Sequence, residues 1–253
     1  MSVALQMSKP ETTEVEWETR VQLAALYHVV HHMGWLDLIY THMSARIPGE
    51  PDTFLINRFG ENFDEVTASS LIKMDLGGNV RGTPGKYNDA GFTIHSGIYK
   101  ARPDANCVMH THTRAGAAVS LIEKGLRPIS QDVLEVYDDV VYHEYGVPAT
   151  PEECEALGRS CAKGSCVVLY NHGLLTLGET IPGTFHRLYF LERACELEMA
   201  ARMMGETPVP ISDHVVAKAA VRYKKKRKEP DYGMLAWEAL LRTIDRKGFD
   251  YRR

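Results

Sequence analysis

The chain has 253 residues, 44% hydrophobic and 25% charged, with a formal net charge of -4. Those values describe an ordinary water-soluble globular chain and exclude a collagen-like, low-complexity or strongly basic nucleic-acid-coating protein. No apolar run approaches the ~18 residues of a membrane span, the first residues "MSVALQMSKPETTEVEWE" lack a secretory pattern, and five cysteines without close pairing suit free thiols, so a cytoplasmic protein is expected.

In chain order, residues 1–14 read as a loose arm, and "EVEWETRVQLAALYHVVHHMG" as a helix closed by Gly34. "LDLIYTHMSARIP" and "TFLIN" read as strands, followed by "SLIKMDLGGNVRG" as a strand, a Gly-Gly turn and a return strand. "AGFTIHSGIYKA" is helical. "ANCVMHTH" is a strand with Cys107 and Met109 on one face and Val108, His110 and His112 on the other. "RAGAAVSLI" is a helix, "VVYHEY" a strand, and "TPEECEALGRSCA" a helix capped by Thr150, with Pro151 at N1 and Glu153 at N3. "SCVVLYNHG" is a buried strand, "GLLTLGE" its return, and "TIPGTFHRLYFLERACELEMAARMMG" a long helix ended by Gly205.

The fold class is therefore α/β, with a mixed, largely antiparallel sheet covered by helices. A main domain is expected over 15–209 and a C-terminal helical extension over 210–253. The basic run "RYKKKRKEP" reads as a solvated connector in an acidic chain, with a nucleic-acid patch as the weaker alternative, so no nucleic-acid or membrane partner is expected. Trp237, Leu240, Leu241 and Ile244 form an apolar stripe that packs either on a neighbouring subunit or on its own domain.

The chemistry concentrates in histidines. Alternation along a strand puts His110 and His112 on one face, so both imidazoles can share a metal ion without bending the backbone. "VVLYNHGLL" delivers Asn171, His172 and Gly173 at the end of a buried strand, and Gly173 would let the chain turn sharply there. Three histidines suit Zn2+ with a coordination position open to substrate, although Mn2+, Fe2+, Co2+ or Ni2+ also accept imidazole. The first helix carries His28, His31 and His32, which read as interface or solvated groups. His95 either orients a ligand or bonds within the core, the core being preferred.

"GWLDLIYTHMSARIP", "FLINRFGENFDEVTASSLIKMDLGGNV", "GFTIHSGIYKARPDANCVMHTHTRAGAAVS" and "VVLYNHGLLTLGETIPGTFHRLYFLERAC" together resemble the class II aldolase/adducin family over about residues 17–205. The resemblance implies a three-layer α/β/α domain, a homotetramer with sites between neighbouring subunits, and a zinc ion held by His110, His112 and His172. In the sugar-phosphate aldolases of fuculose-phosphate type that metal binds a hydroxy-carbonyl and stabilises an enediolate. This chain departs from them at "NDAGF", with Asp89 and Ala90 where those enzymes carry phosphate-binding serines and Gly91 in place of their proton-moving glutamate. A second departure is Thr41-His42 before "MSAR" in place of their Gly-Asn.

The expectation is thus a lyase acting by aldol cleavage or decarboxylation on a non-phosphorylated hydroxy-oxo or aromatic acid. The adducins, which also depart from the aldolase pattern, keep a non-enzymatic interaction protein as the alternative. With Gly91 unable to move protons, His42 is the candidate acid/base and Gln131 a candidate orienting group. Asn57 and Tyr142 are candidate substrate contacts.

Overall fold

A threonine cap starts the first helix. Thr13 Oγ1 accepts from the Glu16 amide at 3.2 Å, α1 runs Glu14–Met33, and Gly34 closes it at φ 71°, a conformation glycine adopts without strain. A computed structural model describes residues 12–82, 84–147 and 149–253; most of the expected N-terminal arm lies outside the described residues, and its last residue, Glu14, already belongs to α1. Arg20 is buried inside the α1 face, where Glu16 takes its Nε at 2.8 Å and the Leu71 carbonyl takes its Nη1 at 2.8 Å. A buried guanidinium is tolerable only when so many of its donors are engaged.

The strands are β1 (His42–Ile47), β2 (Glu50–Ile56), β3 (Ile72–Asp75), β4 (Val80–Arg81), β5 (Cys107–Thr111), β6 (Val140–His143), β7 (Cys166–Leu169) and β8 (Gly173–Gly178). They form one eight-stranded sheet in the order β4-β3-β2-β1-β5-β8-β7-β6, antiparallel except for β6 beside β7. One face, with Met43, Met109 and Val168, packs against α1, α3 (Arg114–Ser120), α6 (Ile181–Met204) and α8 (Met234–Arg246). The other, with Phe54, Val108, Val167 and Leu175, packs against α2 (Asp89–Ala101) and α5 (Pro151–Cys161). Three layers result, as strands apolar on both faces require.

Two local expectations change. Residues 36–41, strand-like in composition, form a turn: Asp37 and Tyr40 make an isolated bridge, Leu38 and Thr41 take φ 51° and 70°, and Leu38 is 75% exposed. Only the second half of the basic run, residues 227–230, lies in a connector. Arg222 to Lys226 form the end of a helix, α7 (Asp213–Lys226), where lysines face the negative end of the helix dipole and Arg227 then binds Asp138 at 2.5 Å.

The stripe on α8 packs on its own chain. Trp237 and Ile244 are buried in the main core, and the Trp237 indole donates to Gln22 Oε1 at 2.9 Å. Trp237→Ala is therefore expected to cost about 3–5 kcal/mol in denaturant unfolding, against under about 0.5 kcal/mol for the exposed Leu235→Ala. Equal effects would refute that packing.

Candidate metal centre

β5 and the β7–β8 turn bring the three histidines together. His110 lies next to the end of the fully buried β5, His112 follows one residue past the strand, and His172 sits in the turn after Leu169. Their ring centroids stand 4.6–4.8 Å apart, and one ligand nitrogen from each lies within 4.8 Å of the others. Asn171, at φ 58°, makes the left-handed turn that aims His172; asparagine tolerates this conformation better than most residues. Gly173 has another role than the sharp turn expected of it. A Cβ there would meet the Thr111 carbonyl at 2.5 Å and His112 Cδ2 at 3.1 Å, so its bareness lets β8 approach β5 beside the ligands.

Hydrogen-bond accounting fixes the tautomers. His110 Nδ1 faces the Leu174 carbonyl at 2.9 Å, and a carbonyl only accepts, so Nδ1 carries the proton. His112 Nδ1 likewise donates to Asp37 Oδ2 at 2.8 Å. Both Nε2 atoms are then bare lone pairs, yet they stand 2.8 Å apart. Two facing lone pairs repel unless a cation lies between them. Burial pushes His110 well below the usual imidazole range, and burial, with the neighbouring imidazoles adding to it, holds His172 down at about 4, so these two rings favour the neutral form. Neutral imidazoles with outer partners on Nδ1 are what a divalent metal requires. The donor set fits one.

His42 adjoins the triad because β1 pairs with β5 in the register His42–His110, placing both rings on one face, 5.1 Å apart. Its Nδ1 meets His95 Nε2 at 2.7 Å, and His95 in turn bonds Ser44. A Cβ on Gly91 would stand 2.8 Å from His42 Cδ2. The two departures at 91 and 42 are thus one packing arrangement: the imidazole occupies the space into which a side chain at 91 would project.

The other expected contacts are not brought to the triad. Asn57 is buried, its Oδ1 accepting from Tyr27 and its Nδ2 donating to the Arg58 carbonyl. The Tyr142 hydroxyl accepts from the Leu126 amide at 2.8 Å, and its ring stacks on Tyr170. Gln131 is exposed at the start of the short helix α4 (Gln131–Leu134), and among the described residues it makes no hydrogen bond to the triad. His28 is spent on the Val66 carbonyl at 2.8 Å, and His32 lies against Lys247.

Sequence reasoning missed Asp37, which the turn at 36–41 aims at His112 from 75 positions away, and no local pattern marks it. It also missed Glu192, buried on α6, which accepts from Thr113 at 2.5 Å behind the ligand turn and is pushed up to about 7 by burial. A carboxyl at that helical position carries no signal of its own.

A mostly antiparallel α/β/α sheet carrying three convergent imidazoles, two of them bonded at Nδ1 by outer partners, defines a class of metal-site proteins. The Class II Aldolase and Adducin N-terminal domain model matches residues 21–199, and the chain belongs to that family. It is 43% identical over 247 residues to a provisionally named aldolase class 2 protein of Pseudomonas aeruginosa, covering 96% of this chain and 95% of that one. It is 38% identical to mouse alpha-adducin over 92% of this chain but 34% of that protein. An aldolase II superfamily protein from Pseudomonas syringae superposes with a TM-score of 0.89 at 41% identity, over 96% of this chain and 98% of the other. For L-fuculose 1-phosphate aldolase from Glaciozyma antarctica the TM-score is 0.81 at 27% identity, over 97% of each chain.

Proposed function

We propose that the protein is a metal-dependent carbon–carbon lyase of a non-phosphorylated hydroxy-oxo or aromatic acid. The observation that carries this reading is the pair of bare Nε2 atoms of His110 and His112, held 2.8 Å apart by fixed Nδ1 donors beside His172. These three residues would hold the ion, with Zn2+ favoured and Mn2+, Fe2+ or Co2+ alternatives. When bound, such an ion supplies Lewis-acid stabilisation of the oxygen of an enolate left by bond cleavage.

The chain's own residues do the rest. Asp37 and the Leu174 carbonyl orient two of the ligands, and His42 handles a proton at the substrate oxygen in place of the absent carboxylate at Gly91. Phosphate is disfavoured at the start of α2, because Asn88 Oδ1 already takes the Ala90 and Gly91 amides and Asp89 adds negative charge. A homotetramer in the cytoplasm completes the reading; all five thiols are free, as suits a reducing compartment. The similarity to mouse alpha-adducin favours a second reading, an interaction protein that keeps the metal for structure.

The first experiment is metal analysis of protein purified without chelator and with metal supplied, followed by a screen of 2-oxo-4-hydroxy acids, hydroxy-aromatic acids and sugar phosphates. About one ion per chain and turnover of an acid are expected. Trace metal alone would sink the lyase, and cleavage of sugar phosphates alone would refute the phosphate argument.

A further inference from the structure

We infer that His42 is held as its Nε2–H tautomer, presenting a hydrogen-bond donor beside the three ligands rather than a lone pair to the metal, and that His95, Ser44 and Tyr99 are the positioning residues that impose this polarity. The role in turnover rests on the lyase reading; the polarity does not.

Four buried polar groups stand in line. The Tyr99 hydroxyl lies 2.7 Å from Ser44 Oγ, Ser44 Oγ bonds His95 Nδ1, and His95 Nε2 lies 2.7 Å from His42 Nδ1. His95 and Ser44 are wholly buried and Tyr99 is 1% exposed. The direction of such a chain is set at its closed end. Among the described residues the Tyr99 hydroxyl has one hydrogen-bond partner, Ser44, and the Arg46 guanidinium stacked on its ring has no lone pair to offer. A buried hydroxyl that fails to donate leaves an orphaned proton, which folded proteins avoid. Tyr99 therefore donates to Ser44.

The remaining assignments follow link by link. Ser44 keeps its own proton and spends it on His95 Nδ1, which must be the bare nitrogen. Neutral His95 then carries its proton on Nε2 and donates to His42 Nδ1. Neutral His42 carries its proton on Nε2, the nitrogen turned away from His95 and bonded by no described residue. Both rings are neutral on this accounting, because each presents one bare nitrogen: Nδ1 of His95 to Ser44 and Nδ1 of His42 to His95. Reversing the chain would strand the Tyr99 proton in the core.

The consequence is chemical. A donor cannot also be a ligand, so the ion keeps three protein nitrogens and His42 remains free to bond a second oxygen of the substrate. Substrates with two adjacent oxygens, one an anionic acceptor such as a carboxylate or enolate, suit this arrangement.

The test needs no substrate. In metal-free, 15N-labelled protein, ring proton–nitrogen correlations should show His42 protonated at Nε2 and bare at Nδ1, with a scalar coupling across the bond to His95 Nε2. One equivalent of Zn2+ should leave the His42 Nε2–H in place while the signals of His110, His112 and His172 shift. A proton on His42 Nδ1, or loss of its Nε2–H on adding Zn2+, would overturn the inference. His95→Leu should release His42 into a mixture of tautomers, and His95→Gln, whose amide can still donate to Nδ1, should restore the single form. An unchanged single tautomer in His95→Leu would refute the positioning role, and should that variant not fold, the wild-type spectra still decide the polarity. Absence of turnover in the wild type would sink the lyase reading and leave these spectra untouched.

Discussion

Alanine at His172, or at His110 and His112 together, is expected to abolish metal binding and leave the fold standing. Loss of an outer hydrogen-bonding partner typically weakens a metal site by roughly 10–100-fold, so Asp37→Ala should fall in that range, and loss of a ligand should exceed it. The fold should survive because the core does not run through the ligands. The sheet faces are closed by Met43, Met109 and Val168 on one side and Val108, Val167 and Leu175 on the other, while His172 is only partly buried. In the metal-free chain, removing His110 and His112 also removes two facing lone pairs, which offsets part of the packing lost. Metal content by elemental analysis and thermal unfolding of the metal-free forms check both halves. Variants that bind no metal and also fail to fold would instead favour a structural ion and the adducin-like reading.

What the sequence disclosed was local in origin. Thr150 and Gly34 act through neighbours a few residues away, so that cap and that helix end were legible, whereas the Thr13 cap was read as part of the arm; the alternation of Cys107 to His112 marked both the strand and the shared face of its histidines. What escaped was set by pairing across the sheet. The register that puts His42 opposite His110 joins segments that no periodicity connects, and the Asp37 contact depends on a turn whose Leu36, Leu38, Ile39 and Tyr40 read as a strand. Side chains of strand-like composition can lie in a turn when a ligand contact is gained, here with left-handed residues at Leu38 and Thr41 costing on the order of 1–3 kcal/mol each. The basic run misled for a different reason: lysine and arginine are good helix formers, and at a helix C-terminus their charge favours the helix.

His42→Ala is expected to keep the metal and lose turnover by on the order of 10²–10⁴-fold, the range for removing a positioned proton-handling group. A sharper form of the same prediction uses Gly91. An alanine Cβ there would stand 2.8 Å from His42 Cδ2 and 3.0 Å from its Cγ, closer than real side chains approach. The ring cannot yield freely, because His95 holds its Nδ1 at 2.7 Å and β1 is paired on both edges. Gly91→Ala should therefore displace the imidazole and lose most of the turnover while His110, His112 and His172 still bind their ion. If both single substitutions act through the same imidazole, their effects cannot add. The double variant should be no slower than His42→Ala alone, as measured by kcat on the acid found in the screen with metal content held equal. A Gly91→Ala enzyme of normal rate would show that the ring is free to move, and multiplied losses in the double variant would show that Gly91 serves the site independently of His42.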